Sequence, residues 1–204
     1  MGAKVQDLLK QANTSPEGDT SVNFAKRSFG SEAECTNFFA QSKQRLLTIS
    51  EWDKNSSPSS YKLYDNGGRQ IGESIAVGDF FRITLHGSGK YDWVEVESIY
   101  ETPLEFIITV KPSFDPTADP QDKGVISHFF VPEARNNFYL QNDGKMLSMY
   151  VIGIGEKQNT ENTSGAIETI RNAATATANL GYYLGIQKTT WTEFCSNFLK
   201  NAQD

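Results

Sequence analysis

Two glutamates, Glu95 and Glu97, alternate with valines in the segment YDWVEVESIYE and would lie on the same face of a strand. Paired carboxyl groups can act as general acid and general base when they lie beside a substrate and the pKa of one of them is displaced. The same alternation is typical of a sheet with one face in the core and the other in solvent. The pattern favours the solvated face.

Asp92 and Trp93 follow the glycine-containing segment GSGK at 87–90, so an indole and a carboxylate could lie at the rim of a cavity. A tryptophan that packs against the end of a hairpin explains the pair better. His128 stands between Ser127 and Phe129 and could act as a base in an apolar pocket. A single histidine within a strand is more often hydrogen-bonded inside the fold, and we favour that interpretation.

Three consecutive polar residues, Arg135, Asn136 and Asn137, have donor groups that could hold the oxygen atoms of a ligand. Asparagines that follow a proline more often satisfy the backbone of a turn, which is the favoured interpretation here. No residue is assigned a catalytic role. The side chains that we predict to contact a ligand, if one binds, are Arg82, Trp93, Glu95, His128, Arg135, Asn137, Tyr150 and Tyr183.

Other kinds of chemistry find little support in the sequence. GSGK lacks the spacing of a phosphate-binding P-loop and is typical of a hairpin turn, and there is no GxSxG nucleophile motif. Cys35 and Cys195 lie far apart in helical patterns, and with only two histidines a zinc site would lack ligands. We therefore predict no metal and no cofactor.

Composition indicates one globular domain over residues 1–204, with an N-terminal helix and loop at 1–21 and a core at 22–200. The formal net charge of −6 argues against nucleic acid as a partner, since such binding depends on a surplus of Lys and Arg. No run of 18 apolar residues predicts a membrane span, and the N-terminus does not resemble a signal peptide. These features predict a soluble, cytoplasmic protein, and they leave its oligomeric state open.

The first quarter of the chain is predicted to be mostly helical. A short helix is expected over 3–12 and a strand over 22–29. Ser31 and Glu34 have the spacing of a capping box at the start of the next helix, which buries Cys35, Phe38, Phe39 and Leu46 and is followed by a helical stretch to Trp52.

Strands and tight turns follow. The alternating segments predict strands at 61–64, 80–86, 91–101, 104–110, 125–131, 134–141 and 145–155, of which 80–110 forms a three-stranded meander. The segment 111–124 contains three prolines and is predicted to be a long loop. Asn142-Asp143-Gly144 is a strong hairpin signal.

The C-terminal region is predicted to be a long helix, kinked or divided at Leu180-Gly181. Ser164 can cap it, and Ile167, Ile170, Ala174 and Ala178 form one apolar stripe. The last part has the spacing of a buried helix face, with Trp191, Phe194, Cys195, Phe198 and Leu199 as its members.

This order of elements, with the segments SFGSEAECTNFF and YKLYDNGGRQIGESIAVGDFFRI, resembles the helix-grip superfamily of START and Bet v 1-like proteins over about residues 22–200. The resemblance implies an α+β fold in which a curved antiparallel sheet of six to seven strands wraps a long C-terminal helix. It also implies a cavity for an apolar or aromatic small molecule, and some members are cyclases or hydrolases. The proline-rich loop and the glycine-broken helix depart from the common pattern.

Three functions follow as hypotheses. The first is a carrier or sensor that binds a small apolar ligand between the sheet and the C-terminal helix. The second is an enzyme that uses the same cavity, with His128, Glu95 or Arg82 as catalytic groups, at least two of which must then converge. The third is a scaffold with a solid core and an exposed apolar patch that binds another protein.

Overall fold

Seven antiparallel strands form a single sheet in the computed structural model, which describes residues 3–14, 20–55, 59–85, 91–119, 125–126, 128, 130–157 and 190–200. The strands are β1 (Thr20–Ser28), β2 (Ser59–Tyr64), β3 (Phe80–Leu85), β4 (Tyr91–Glu101), β5 (Glu105–Pro112), β6 (Arg135–Asp143) and β7 (Met146–Ile154). Their order across the sheet is β1-β7-β6-β5-β4-β3-β2, so the first strand pairs with the last one. The predicted α+β class and antiparallel sheet are confirmed.

Within the described ranges, the helical segments are α1 (Ala3–Thr14), α2 (Glu32–Leu46), α3 (Ile49–Asn55) and α4 (190–198). The predicted capping of α2 is confirmed, because the Ser31 hydroxyl accepts a hydrogen bond from the Glu34 backbone N–H at 3.2 Å. The Glu34 carboxylate in turn accepts from the Gly30 N–H at 3.0 Å, one residue before the cap. The first bond satisfies one of the N–H groups that a helix start leaves free, and the second ties the residue before the cap to the helix.

The side chains of the strands alternate between two faces. We call the face that packs against α2, α3 and α4 the inner face; on β6 it carries Phe138 and Leu140, which belong to the main core. The other face, here the outer face, carries Tyr139 between them, which packs with Leu8 of α1. The sheet therefore separates two apolar clusters.

Trp52 of α3 lies at the centre of the main core, with 1% of its surface exposed. Its ring lies 4.4 Å from that of Phe138 and 5.3 Å from that of Phe81, measured between centroids. The rings of Tyr61 and Phe194 each lie 5.6 Å away. One side chain thus joins α3 to β2, β3, β6 and α4.

The outer face is covered in two places. Leu8 and Leu9 of α1 pack with Ile107, Tyr139, Tyr150 and Ile152 near the β7 side of the sheet. At the other side, Tyr64, Phe80 and Trp93 form a smaller cluster with Phe114. No helix in the described part of the chain is long and apolar enough to cross a membrane.

Most predicted elements are present, with two corrections. The strand predicted at 125–131 is wrong for the residues described there, since Ile126 makes only an isolated bridge with Phe114. The loop predicted from residue 111 begins later, because β5 continues to Pro112. The proline is tolerated there because β5 pairs with β6 only as far as Val110, so Pro112 removes no bond to β6.

The predictions for the other strands, the turns and the C-terminal helix are confirmed in part. The meander of β3, β4 and β5 and the β6–β7 hairpin are confirmed, and Gly144 has a φ of 71° in the hairpin turn. The predicted burial of Phe194, Cys195, Phe198 and Leu199 is also confirmed, while Trp191 is partly buried. The turn at 87–90 and the helical stretch predicted from Ser164 to the Leu180-Gly181 break lie outside the described residues.

We expect Gly68→Ala to lower the free energy of unfolding by about 1–3 kcal/mol, because Gly68 has a φ of 78° and a Cβ there would lie 2.4 Å from the Pro116 carbonyl oxygen. Urea denaturation followed by circular dichroism measures the change. Gly72→Ala is the matched control, since a Cβ at Gly72 meets nothing within 4 Å. Equal stability of the two variants would contradict the prediction.

Candidate ligand-binding site

The inner face becomes polar at one end of β1, β7 and β6. Ser21, Gly153 and Asn136 are register partners and form a row across these three strands. The next inward row consists of Asn23, Val151 and Phe138. Adjacent strands lie about 4.8 Å apart, so each row spans about 10 Å. Polar side chains are thereby placed next to the apolar core.

The carboxyl group of Glu156 lies directly on Gly153. The chain turns at Gly155, where φ is 67°, and a Cβ built on Gly153 would lie 2.2 Å from both Cδ and Oε1 of Glu156. Cβ atoms of opposed residues lie about 5 Å apart, so the carboxyl group sits close to Asn136 and, on the other side, hydrogen-bonds to Ser21. Glycine at position 153 is required for this approach.

Four buried polar atoms at this end of the sheet have no hydrogen-bond partner. They are Glu156 Oε1, Asn136 Oδ1, Asn23 Nδ2 and Trp191 Nε1, and they make up four of the seven such atoms found among the described residues. Glu156, Asn136 and Asn23 are all more than nine-tenths buried. Folded proteins satisfy nearly all buried polar atoms, and each exception costs about 1–3 kcal/mol. We call these four residues the polar cluster.

Asn23 is held in place by α4. Its side-chain Oδ1 accepts a hydrogen bond from the Thr192 hydroxyl at 3.2 Å, which leaves its amide Nδ2 without a partner. The far end of α4 is fixed by two arginines, because Arg27 donates to the Leu199 carbonyl at 2.8 Å and Arg45 to the Phe198 carbonyl at 3.0 Å. Cations at the last carbonyls stabilise a helix end.

Burial raises the pKa of Glu156 above its ordinary value, while the hydrogen bond to Ser21 acts in the opposite direction and is the smaller effect. None of the ion pairs between described residues includes Glu156. A carboxyl group in such surroundings is a common feature of functional sites.

An aromatic wall borders the polar cluster. The Trp191 ring lies 5.3 Å from Phe138 and 5.6 Å from Phe194, with both pairs in edge-on geometry. Phe138 follows Asn136 by two residues on the same face of β6 and so adjoins it. Apolar walls with a few converging polar groups are typical of small-molecule sites.

The candidate residues predicted from the sequence lie elsewhere. Two of the charged ones, Glu95 and Arg135, form ion pairs on the outer face: Glu95 pairs with Lys111 at 3.2 Å, and Arg135 donates two hydrogen bonds to Glu97 at 2.6 and 2.8 Å. Glu95 and Glu97 therefore share a face, as the alternation predicts, and each is engaged in an ion pair.

Arg82, Trp93 and Tyr150 are also on the outer face, in aromatic contacts. The Arg82 guanidinium lies 4.3 Å from the ring centroid of Tyr91, and Trp93 packs against Tyr64 with centroids 5.0 Å apart. Tyr150 packs in the cluster under α1.

Asn137 and His128 have partners within the protein. Asn137 accepts a hydrogen bond from the Thr109 hydroxyl and donates one to the Ile152 carbonyl. His128 is buried, and its Nδ1 accepts from the Phe130 backbone N–H at 2.9 Å; burial lowers its pKa. Tyr183 lies outside the described residues.

Strand alternation places six of these residues on the face opposite the C-terminal helix: Arg82, Trp93, Glu95, Arg135, Asn137 and Tyr150. Any contact of theirs with a ligand stays a prediction. Within the described part of the chain, no hydrogen bond or ion pair joins His128, Glu95 and Arg82, the groups on which the enzyme hypothesis depends.

Sequence reasoning missed Glu156 and Asn23, and it treated Trp191 as a core residue only. One available signal was Gly153 within a strand, which indicates close approach of another group. The structure places the Glu156 carboxyl group on this glycine.

No protein-family model and no curated protein matches this sequence. The fold does match solved structures. A hypothetical protein of Helicobacter pylori, jhp0584, has a TM-score of 0.53 at 13% identity, over 93% of this chain and 91% of that one. This likeness shows a shared fold alone.

Two further solved structures match this chain with lower TM-scores. An uncharacterised protein of Bacillus thuringiensis has a TM-score of 0.45 at 11% identity, over 89% of this chain and 99% of that one. Major latex-like protein 151 of Panax ginseng has a TM-score of 0.42 at 14% identity, over 90% of this chain and 100% of that one.

We expect Glu156→Gln to raise the free energy of unfolding at neutral pH by about 1–3 kcal/mol, because an amide is cheaper to bury than a carboxylate without a cation. The pKa of Glu156 is higher in the folded protein than in the unfolded chain, so the wild type loses stability as the pH rises through that interval. The gain should therefore shrink as the pH falls towards about 4.3.

Urea denaturation at several pH values measures this difference. Glu97→Gln is the matched control, since Glu97 is exposed on the outer face and its loss should change stability by less than about 1 kcal/mol. A Glu156→Gln protein that is less stable than the wild type at neutral pH would contradict the account of this carboxyl group.

Proposed function

We propose that the protein binds a small, largely apolar or aromatic molecule between the inner face of the sheet and its C-terminal helical segment. The observation that carries the proposal is the polar cluster beside the aromatic wall, with four buried atoms that lack partners. A bound molecule would supply those partners, since specific sites combine an apolar surface with a few converging polar groups.

The helix-grip resemblance adds to this proposal because its members enclose ligands in the corresponding region. The order of strands and helices agrees with that resemblance, with two helices between β1 and β2 and a helical segment after β7. The contribution of the fold is only supportive, since function depends on the site rather than on the architecture.

A second candidate is a protein-interaction scaffold with a solid interior. The rings of Trp52, Phe81, Phe138 and Phe194 pack closely in the main core, which favours this alternative. Phe24 and Val22 on the outer face of the edge strand β1 are 51% and 40% exposed and could contribute to a contact surface. The two candidates differ in whether a small molecule binds inside.

Mass spectrometry of the freshly purified protein separates them. Under the first proposal, the native mass exceeds the sequence mass by that of one small molecule, and denaturation removes the difference. A native mass equal to that of the chain, with dimer or hetero-complex peaks, favours the scaffold.

We expect an apolar fluorescent probe, N-phenylnaphthylamine, to bind the delipidated protein saturably and with one-to-one stoichiometry. Trp191→Ala should weaken binding about fivefold, because it removes a ring from the wall of the site. Fluorescence titration measures both affinities.

The matched control is Tyr100→Ala, an aromatic truncation at a residue 40% exposed and distant in sequence from the polar cluster. It should leave probe affinity unchanged. Absence of saturable binding by the wild type, or equal loss in both variants, would overturn the proposal.

A further inference from the structure

The polar cluster contains two acceptors without donors, and none of the ion pairs between described residues supplies a cation to its carboxyl group. Glu156 Oε1 and Asn136 Oδ1 both lack donors, and Gly153, the residue under the carboxyl group, is the direct register partner of Asn136. The hydrogen bond to Ser21 engages the carboxyl group from the β1 side. The bond to Ser21 therefore leaves Glu156 Oε1 as the oxygen of this carboxyl group without a partner.

Few chemical groups can satisfy both acceptors. A neutral hydroxyl has one proton to donate and leaves the carboxylate charge uncompensated, which is costly in a buried setting. An anionic group adds repulsion. An ammonium group offers several N–H donors from one atom and compensates the charge, so charge-assisted hydrogen bonds form.

The aromatic wall suits the same group. The Trp191 ring contacts Phe138, which follows Asn136 by two residues on the same face of β6, so the indole borders the cluster. Tryptophan faces attract cations within about 6 Å, and an apolar body attached to the cation would continue along Phe138 and Phe194.

We infer that the ligand of this site is an amine whose cationic nitrogen pairs with Glu156 and Asn136 while its apolar or aromatic body lies along Trp191 and Phe138. This inference rests on the proposed function and specifies its ligand class. Asn23 Nδ2 and Trp191 Nε1, the two unused donors, are then available to an acceptor atom of the ligand.

Two matched probes test the inference. Naphthylethylamine is cationic at neutral pH, and naphthylethanol has the same ring and chain with a neutral end. Isothermal titration calorimetry at neutral pH should show that the wild type binds the amine about tenfold more tightly than the alcohol.

Variants then assign the preference to Glu156. The Glu156→Gln variant should lose the preference, because its affinity for the amine falls about tenfold while its affinity for the alcohol changes less than about threefold. Gly153→Ala is a second variant, because the new methyl group would displace the carboxyl group from its position on β7. Glu97→Gln, on the outer face, should retain the wild-type preference.

The outcomes distinguish failure of the ligand-class inference from failure of the proposed small-molecule binding. If the wild type binds both probes equally, or prefers the alcohol, the ligand-class inference is wrong while small-molecule binding stands. If Glu156→Gln weakens both probes alike, the carboxyl group does not select the amine, and the inference is again wrong. If the wild type binds neither naphthyl probe nor N-phenylnaphthylamine, both proposals fail together.

Discussion

The pairing of the first strand with the last strand is the constraint on which the site depends. Over nine register pairs, β1 is joined to β7, which brings residues more than a hundred positions apart in sequence into one surface. This pairing places Ser21 beside Gly153 and Asn23 beside Val151. It also positions Arg27 to bind the end of α4, so the same strand supplies part of the polar cluster and an anchor for the helix above it.

The interior combines two opposing tendencies. Around Trp52 the rings are packed closely and all available apolar surface is used, as stability requires. At the Glu156 end, polar atoms are buried without partners, which lowers stability. Natural proteins accept such local costs mostly where a site is prepared for another molecule. The contrast between close packing around Trp52 and unpaired polar atoms near Glu156 therefore indicates where in this core a ligand would bind.

The sequence predicted the elements well because their periodicities are strong. The alternation in β4 and the capping pair Ser31 and Glu34 depend on near neighbours in the chain, and both were correctly interpreted. The segment at 125–131 was misassigned because Phe130 is buried as part of a connection, where burial does not require strand pairing. Apolar character alone does not distinguish the two cases.

The site was predicted less well, for a physical reason. Polar and titratable residues in strands are most visible where they alternate with core residues, and this selects the outer face, as with Glu95 and Arg135. Glu156 follows the last strand and folds back over Gly153, and this contact depends on three-dimensional geometry. Asn23 acquires its position through pairing with a strand near residue 151, which no local pattern records.

Helix α1 covers the outer face of the sheet at β6 and β7. With Leu8 packed on Tyr139 and Tyr150, β6 and β7 are enclosed on both sides, and nearly every residue in them is buried. The less buried residues of β6 and β7 are those at the strand ends. Glu156 follows β7 by two residues, so the polar cluster lies where the enclosure of these strands ends and not in the middle of the sheet.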